Sequence, residues 1–375
     1  MGNKKLLKEL PEPPKGKSGW PWTEETDISI YKDLKNLPKF SIITPSFNQG
    51  KFIEQTIRSV LLQNYPNLEY IIIDGGSTDE TAEIIRKYEP WIKHWESKED
   101  RGQSHAINKG LLKCEGEIFN WLNSDDYYNK DCFKFVAENF RNKDTQMVAG
   151  NYRFFDNDET RKEKIINFKL RNSLEETIAF ILINQPSTFF RMEIFKDLGE
   201  LDERLQFVMD QDIWKKYLFR YGQSKIKILD KDLTNFRFHA QSKTFQFQFN
   251  NEYAGIFYSI AQKTGMERHA ALLKKIYGSD IGKGYDFKFN FSEKNIDLAK
   301  KVINNLVFSN ARNFLTADKI EEMNECLAVL ETKWLNKKQK DYARTLKVKS
   351  KLIKFKLKPV MRLFGSRKSK TKTAV

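Results

Sequence analysis

The chain has 375 residues, 40% of them hydrophobic, which suits two or three folded domains and excludes a globally disordered protein. It contains no run of about 18 apolar residues, so we expect no membrane-spanning helix. The first twenty residues have no apolar stretch, which argues against a signal peptide. Cys114, Cys132 and Cys326 form no zinc or redox motif, so we expect free thiols in a reducing compartment.

The net charge of +15 is concentrated at the carboxyl end. Residues 345–375 contain eleven Lys and Arg and no acid, whereas residues 1–344 carry 54 basic and 50 acidic side chains. Such a segment is typical of a solvated, disordered tail or of a surface for an anionic membrane. Nucleic acid is disfavoured as a partner because no recognition motif accompanies the charge. Pro359 would interrupt an amphipathic helix, so both of the first two interpretations stay open.

The sequence divides into four segments. Residues 1–38 are rich in Pro, Gly and Lys and predict an irregular arm, whose Trp20 and Trp22 we expect to dock on the main domain. Residues 39–245 alternate strand and helix patterns and form the main domain. Residues 246–344 show helical periodicity, and residues 345–375 form the basic tail.

Apolar runs that end in polar residues predict the strands of the main domain. These strands are expected at residues 40–44, 70–73, 118–122, 147–155, 187–190, 226–229 and 235–239. Helices are predicted between them, including one over residues 210–221, and Ser77 to Glu80 has the pattern of a capping box. Strands alternating with helices predict an α/β fold with a mostly parallel sheet, in which ligands bind at the carboxyl ends of the strands. Neither a dinucleotide-binding nor a P-loop motif is present.

Polar residues follow three of the predicted strands. They are Thr44-Pro45-Ser46, Asp74 and Asn123-Ser124-Asp125-Asp126. Adjacent carboxylates suit a hard divalent cation, because Mg²⁺ and Mn²⁺ prefer oxygen ligands, although paired acids in a turn are also commonly solvated.

Other candidates have equally open interpretations. His239 would be either structural or a metal or diphosphate contact. Asp210 and Asp212 would either cap a helix or supply a general base. Residues 101–110, which include Gln103 and Asn108, would bind a phosphate at a helix start or form an ordinary loop.

Six segments, in this order, resemble those of family 2 glycosyltransferases. They are FSIITPSFNQG (40–50), YIIIDGGSTDET (70–81), DRGQSHAINKG (100–110), GEIFNWLNSDD (116–126), MDQDIW (209–214) and HAQSKT (239–244). The resemblance covers residues 39–245 and implies the GT-A fold for that part of the chain, before the region of helical periodicity. It also implies inverting transfer of a sugar from a nucleotide diphosphate-sugar, with UDP favoured, to a hydroxyl of a glycan or lipid-linked acceptor in cell-surface polysaccharide synthesis.

The resemblance further implies roles for individual residues. Asp210 would be the catalytic base, Asp212 a supporting acid, and Asp126 and His239 the contacts to Mg²⁺ or Mn²⁺. The nucleotide-sugar would contact a larger set, consisting of Thr44, Pro45, Ser46, Asp74, Gln103, Asn108, Asn123 and Asp125.

Two positions depart from the family pattern. Asn123 stands where the family often has Asp, and Met209 stands where Glu is common before the base. The alternative function is therefore a catalytically inactive GT-A domain that binds sugar nucleotides or scaffolds a glycan assembly complex. The processive members' Q-x-x-R-W motif is missing, so we expect a non-processive enzyme. We expect it in the cytoplasm, with the tail as a tether at the inner face of the membrane.

Overall fold

The computed structural model describes residues 6–34, 36–156, 163–182, 185–239, 242–243 and 248–354. The chain divides into two compact units. Unit 1 comprises Met1–Leu174 and Ile181–Glu252, and unit 2 comprises Glu175–Phe180 and Tyr253–Val375.

Within the described residues, unit 1 contains a nine-stranded sheet. Its strands are β1 (Phe40–Ser46), β2 (Leu68–Asp74), β3 (His94–Ser97), β4 (Ile118–Trp121), β5 (Tyr127–Tyr128), β6 (Met147–Asp156), β7 (Lys164–Ile166), β8 (Thr188–Arg191) and β9 (Ile226–Phe238). They follow the order β3-β2-β1-β4-β8-β6-β9-β5, with β7 beside β6. The first four strands of this order are parallel, as are β6 and β9, whereas the other pairs are antiparallel. The predicted α/β class is confirmed, but the sheet predicted to be mostly parallel is mixed, with four parallel and four antiparallel strand pairs among the described residues.

The helices complete the two units. In chain order they are α1 (Ile53–Leu61), α2 (Thr81–Lys87), α3 (Gln103–Leu111), α4 (Cys132–Phe140), α5 (Leu174–Phe180), α6 (Met192–Leu198), α7 (Met209–Tyr221), α8 (Gln248–Lys263), α9 (Glu267–Tyr277), α10 (Glu293–Thr316), α11 (Ile320–Val329) and α12 (Lys337–Lys354). The predicted helical region after the α/β part is confirmed. None of the described helices is both long and apolar enough to cross a membrane.

The central strands are buried on both faces. Every residue of β1 is buried, as are six of the seven residues of β2, which is why these strands are nearly continuous apolar runs. Parallel pairing places Ser46 opposite Asp74, so the polar residues that end the two strands lie at the same edge of the sheet.

The amino-terminal arm docks on unit 1, as expected for its tryptophans. Trp20 Nε1 donates a hydrogen bond to the Tyr128 carbonyl at 2.8 Å. The Trp22 ring lies 5.7 Å from the guanidinium carbon of Arg58. Arg58 is fully buried and donates to the carbonyls of three arm residues, Pro11, Pro21 and Trp22. A buried guanidinium satisfied by carbonyls holds the arm in place.

The capping box predicted at Ser77 to Glu80 is wrong. Helix α2 begins at Thr81, and Glu80 at its N-cap makes no side-chain capping bond. The Ser77 hydroxyl donates instead to the Asp74 carboxylate at the end of β2. Ser77 is therefore bonded to Asp74, three residues earlier in the chain, and does not cap α2.

Unit 2 has its own helical core. Leu272, Val307, Met323, Cys326 and Leu346 belong to one buried cluster that joins α9, α10, α11 and α12. The first part of the predicted basic tail, residues 345–354, forms the end of α12, and residues 355–375 lie outside the described residues.

Candidate functional site

A cavity of about 670 Å³ opens at the carboxyl edge of β1, β2 and β4. Six of the predicted site residues line it, namely Pro45, Ser46, Gln103, Asn123, Asp125 and His239. They come from separate parts of the sequence and meet because parallel strands end at a common edge, which is where α/β folds bind ligands. The Ser46 hydroxyl is buried and forms no hydrogen bond with any other described residue.

Asp125 and His239 form a hydrogen-bonded pair at the cavity wall. Asp125 Oδ2 lies 2.9 Å from His239 Nε2. The side chains are 22% and 13% exposed, respectively, so both remain accessible from the cavity. A carboxylate bonded to one imidazole nitrogen fixes the orientation of both groups.

Arg237 on β9 holds this pair in place. Its Nε donates to the Asp125 carbonyl at 2.8 Å, and its Nη2 donates to Gln55 Oε1 at 2.8 Å. The guanidinium lies 4.6 Å from the ring of Phe52 and 4.7 Å from the ring of Phe155, and the residue is only 4% exposed. The turn after β4 is therefore locked to β9 by a buried cation between aromatic rings.

Asp126 lies behind this turn rather than on the cavity lining. It is 1% exposed, and its Oδ1 accepts the backbone N–H of Arg237 at 2.9 Å. Its Oδ2 accepts no hydrogen bond within the described residues. Burial, and then the neighbouring Asp125 charge, raises the pKa of Asp126 well above its ordinary value. The carboxylate that reaches the cavity from this turn is that of Asp125.

Neutral side chains and one lysine continue the polar wall. Gln103 Nε2 donates to Asn123 Oδ1 at 2.7 Å. Lys243 Nζ donates to Gln103 Oε1 at 3.3 Å and to the Gln206 carbonyl at 3.2 Å. Desolvation in the cavity lowers the pKa of Lys243 from its ordinary value. Gly102 precedes Gln103 with φ at 108°, a conformation that favours glycine at the start of α3.

Thr44, Asp74 and Asn108 do not line the cavity. Asp74 accepts from the Ser77 backbone N–H at 2.9 Å and from the Ser97 hydroxyl at 2.6 Å. Thr44 Oγ1 pairs with the Tyr70 hydroxyl at 2.9 Å, also in the interior. Asn108 exchanges hydrogen bonds with the backbone of Leu201, at 2.9 and 3.0 Å. These three residues hold the framework around the cavity.

Asp210 and Asp212 lie in the first turn of α7. Burial raises the pKa of Asp210 to about 6, and its Oδ1 accepts the backbone N–H of Gln211 at 2.7 Å. Asp212 is fully buried and forms an ion pair with Lys216 at 2.6 Å. Neither residue lines the cavity, but the Gln206 carbonyl that Lys243 binds lies four residues before Asp210.

A second lysine lies inside α7. Lys215 is fully buried and donates to Gln211 Oε1 at 2.7 Å. Burial lowers its pKa to about 7, while the charges of Asp210 and Asp212 oppose that shift.

The sequence prediction missed several cavity residues. Phe47, Asp100, Phe236 and Lys243 all line the cavity. Lys243 lies within the sixth segment of the resemblance, so that segment could have identified it. Residues 240, 241 and 244 of the same segment lie outside the described residues.

Two side chains at the cavity surface are of the types that bind divalent metals. Among the described residues, no group of three or more His, Cys, Asp or Glu side chains is arranged to hold a metal ion. Asp125 and His239 nevertheless offer one carboxylate and one imidazole at the cavity surface. Mg²⁺ is commonly held by one or two protein groups together with substrate phosphates and water, so this donor set fits such an ion.

The sequence of the chain is similar to those of known glycosyltransferases. The sequence model described as Glycosyl transferase family 2 matches residues 41–199. An uncharacterized glycosyltransferase of Rickettsia prowazekii is 30% identical over 220 residues, covering 55% of this chain and 66% of that protein. The putative teichuronic acid biosynthesis glycosyltransferase TuaG of Bacillus subtilis is 34% identical over 133 residues, covering 35% of this chain and 53% of that protein.

The structural comparison shows the fold. The crystal structure of S. aureus TarS 1-349 in complex with UDP-GlcNAc has a TM-score of 0.53 and 19% identity, covering 78% of this chain and 91% of that chain. The matched region spans 39%, 59% and 38% of the length of three curated Rickettsia relatives that are uncharacterized glycosyltransferases. Through residues 41–199, the chain belongs to glycosyl transferase family 2, and its α/β unit has the GT-A fold.

Proposed function

We propose that the cavity binds a nucleotide diphosphate-sugar and that the chain transfers the sugar, with inversion, to a hydroxyl of a glycan or lipid-linked acceptor in cell-surface polysaccharide synthesis. One observation carries the proposal. Asp125 and His239, 2.9 Å apart, share a cavity at the carboxyl edge of the sheet with Ser46, Gln103 and Asn123. Family membership supports the reaction class, and the name of the Bacillus subtilis relative supports the role in polysaccharide synthesis.

The cavity wall suits a donor with an anionic diphosphate. Lys243 brings an ammonium group to the lining, and its described hydrogen-bond acceptors are neutral oxygens. The hydroxyl of Ser46 and the amides of Gln103 and Asn123 supply donors and acceptors for sugar and ribose hydroxyls. UDP-GlcNAc is the first donor to test, since the TarS structure of similar fold contains it.

The proposed chemistry is a single displacement. The acceptor hydroxyl oxygen attacks the anomeric carbon, the bond from that carbon to the diphosphate oxygen breaks, and the hydroxyl proton passes to Asp210. With a pKa of about 6, Asp210 is ionised at neutral pH and able to take a proton. Attack from the face opposite the leaving group inverts the anomeric carbon, and Asp212 supports α7 through Lys216.

Charge on the leaving diphosphate needs stabilisation. A divalent cation held by Asp125 and His239 would supply it when bound, with Asp126 supporting the turn from behind. Lys243 adds a cation of the protein itself, which we place at the diphosphate. Such preorganised charge is worth most where water is excluded.

The second candidate function is a catalytically inactive domain that binds sugar nucleotides. Asn123 favours it, because an amide stands where the family often has a carboxylate. The structure shows Asn123 accepting from Gln103, so the amide oxygen keeps a defined orientation at the cavity. Turnover separates the two candidates, since only the enzyme releases nucleoside diphosphate when an acceptor is present.

We also propose that the basic tail tethers this cytoplasmic enzyme to an anionic membrane surface. Helix α12, from which the tail continues, buries Ala343, Leu346 and Ser350, whereas Lys347 and Lys351 are exposed. Truncation after residue 354 is expected to weaken co-sedimentation with phosphatidylglycerol vesicles, and rising salt is expected to weaken that of the full chain. Unchanged or salt-insensitive binding would contradict the tether.

The donor proposal is tested by a thermal-shift screen of nucleotide-sugars with Mg²⁺ or Mn²⁺, followed by an assay for released nucleoside diphosphate. A specific donor is expected to raise the melting temperature, because it binds the folded chain. Asp125→Asn is the active-site variant, and Lys333→Gln, in an exposed surface pair with Glu331, is the control. Failure of every nucleotide-sugar to stabilise the wild-type chain would overturn the proposal.

A further inference from the structure

A carboxylate on α8 binds the backbone just before α7. It belongs to Glu252, the last residue of unit 1. Its Oε2 accepts the N–H groups of Gln206, Phe207 and Val208 at 3.1, 2.8 and 3.2 Å, and its Oε1 accepts that of Gln206 at 3.0 Å. Successive N–H groups that converge on one carboxylate form a concave anion-binding arrangement. We call Gln206, Phe207 and Val208 the clamped segment.

The clamped segment leads directly into the helix that carries the proposed base. Val208 is the N-cap residue of α7 and makes no side-chain capping bond, as expected for an apolar residue. Asp210 follows two residues later. The first N–H groups of a helix have no partner within it. Glu252, 44 residues along the chain from Val208, therefore supplies an acceptor that the local sequence lacks.

The clamped segment also reaches the cavity wall. The Gln206 carbonyl accepts from Lys243 Nζ at 3.2 Å, while the Gln206 N–H is bonded to Glu252. A Cβ atom at Gly102 would lie 3.0 Å from Gln206 Oε1, so the Gln206 side chain lies directly against a glycine of the cavity lining. Gln206 thus connects the lining residues Gly102 and Lys243 to the start of α7.

Different contacts hold the residues that come earlier in the same loop. Asn108 exchanges hydrogen bonds with the backbone of Leu201, and the Ser104 hydroxyl donates to the Leu205 carbonyl at 3.2 Å. Both of these anchors come from α3, whereas Glu252 approaches the clamped segment from α8. Loss of the Glu252 bonds is therefore expected to loosen the start of α7 while the earlier part of the loop stays attached to α3.

The start of α7 sets the position of the base. Asp210 Oδ1 accepts the backbone N–H of Gln211 at 2.7 Å, so its carboxylate moves with the first turn of the helix. Proton transfer requires a base within hydrogen-bond reach of the acceptor hydroxyl. A misplacement of about 1 Å can lower a rate by about 100-fold. An anchor of this turn therefore affects the reaction as well as the stability of the helix.

We propose that Glu252 is a positioning residue, which fixes the clamped segment and thereby places Asp210 for proton transfer. Glu252 does not line the cavity formed by the described residues, so it acts on the reaction through α7. A carboxylate suits this role better than an amide, because a charged acceptor makes stronger hydrogen bonds with backbone N–H groups. The inference rests on the proposed function, because it concerns the base of the same reaction.

Hydrogen exchange of the full chain tests the clamp without any ligand. In Glu252→Ala the amides of the clamped segment should exchange at least about 10-fold faster than in the wild-type chain, because they lose their acceptor. Glu252→Gln keeps an acceptor oxygen and should give an intermediate rate. Glu193→Ala is the matched control, since Glu193 is an exposed acid in the first turn of α6. Wild-type exchange in Glu252→Ala would overturn the proposal.

Release of nucleoside diphosphate tests the effect on the base. The probe is UDP-GlcNAc, or the nucleotide-sugar that thermal shift selects in its place, with Mg²⁺ and with glucose, N-acetylglucosamine or water as the acceptor. Turnover is expressed per donor-binding site, which calorimetric titration counts. Glu252→Ala should lower kcat by about 10- to 100-fold with little change in the donor KM, and Glu252→Gln should restore most of the rate. Glu193→Ala should turn over as the wild-type chain does.

A double variant shows whether Glu252 acts through the base. In the Asp210→Asn chain, adding Glu252→Ala should change kcat by less than about 2-fold, because the group that Glu252 positions is already lost. An equal loss with and without Asp210 would overturn the proposal, as would wild-type turnover per donor site in Glu252→Ala. If the wild-type chain binds and turns over no nucleotide-sugar, the proposed function fails instead. The exchange result does not depend on a donor, so the two failures are distinguishable.

Discussion

Asp125 and Asp126 are neighbours in the sequence but occupy opposite sides of the turn after β4. Asp125 lines the cavity and bonds to His239 at 2.9 Å. Asp126 is 1% exposed, accepts a backbone N–H from Arg237, and has a pKa well above its ordinary value because of burial. One carboxylate thus faces the proposed substrate, while the other holds the turn to β9.

The difference follows from the position of each residue in the turn. Asp125 belongs to the turn that follows β4, whereas Asp126 directly precedes β5, which pairs with β9. One side opens to the cavity, and the other meets the backbone of Arg237. Two identical residues therefore differ in exposure and hydrogen-bond partner, and we expect them to differ in function.

The largest effect is expected away from this pair, at the proposed base. Asp210→Asn should lower kcat by about 100- to 10,000-fold, because the amide cannot accept the proton of the acceptor hydroxyl. Nucleotide-sugar binding should persist, which contrasts with the binding loss expected at Asp125. Normal turnover in this variant would assign the base to another residue.

The pH profile sharpens the same contrast. The wild-type kcat/KM should rise with pH up to about 6 and then level off, since Asp210 has a pKa of about 6 and must be ionised to act. Below that pH the rate should fall about tenfold per pH unit. A profile that stays flat down to pH 4 would rule out this assignment.

The next largest effect is expected at Arg237, whose backbone N–H binds Asp126 and whose side chain binds the Asp125 carbonyl. Arg237→Met should destabilise the fold by about 3 to 5 kcal/mol, because it leaves buried carboxyl and carbonyl groups without their cation. Urea denaturation measures this change. Arg220→Met is the control. The Arg220 side chain is 50% exposed in its ion pair with Asp197, so the loss of folding stability should stay below about 1 kcal/mol. Equal losses would show that Arg237 does not hold the turn.

The smallest effect is expected at Asp126. Asp126→Asn should change kcat/KM only a few-fold, because an amide oxygen can accept the Arg237 N–H that Oδ1 now accepts. Steady-state kinetics beside Asp125→Asn measure the difference. If the two variants lose activity equally, the contrast between the carboxylates is wrong.

Much of the fold could be predicted from local patterns. The apolar runs of β1, β2 and β4 predicted buried strands. The ends of these strands predicted the edge of the sheet at which Ser46 and Asp125 line the same cavity. The orientation of the side chains at that edge depends on contacts between strands that are distant in the sequence. Whether Asp125 or Asp126 reaches the cavity depends on β9, which is more than 100 residues away in the sequence. The register of β6 and β9 is likewise not determined by alternation within one strand.

The same limit applies to hydrogen-bond partners. Asp74 was predicted to contact the nucleotide and ends a strand as Ser46 does, yet Ser77 and Ser97 bind its carboxylate oxygens. The raised pKa of Asp210 also depends on burial, which follows from the packing of α7 and not from the residues beside it.

The central claim is that Asp125 faces a nucleotide-sugar while Asp126 does not. Calorimetric titration with the nucleotide-sugar selected by thermal shift, in the presence of Mg²⁺, tests it in three proteins. The wild-type chain and Asp126→Asn should bind with similar affinity, and Asp125→Asn should bind about 10- to 100-fold more weakly. Wild-type affinity in Asp125→Asn, or equal weakening in both variants, would contradict the account.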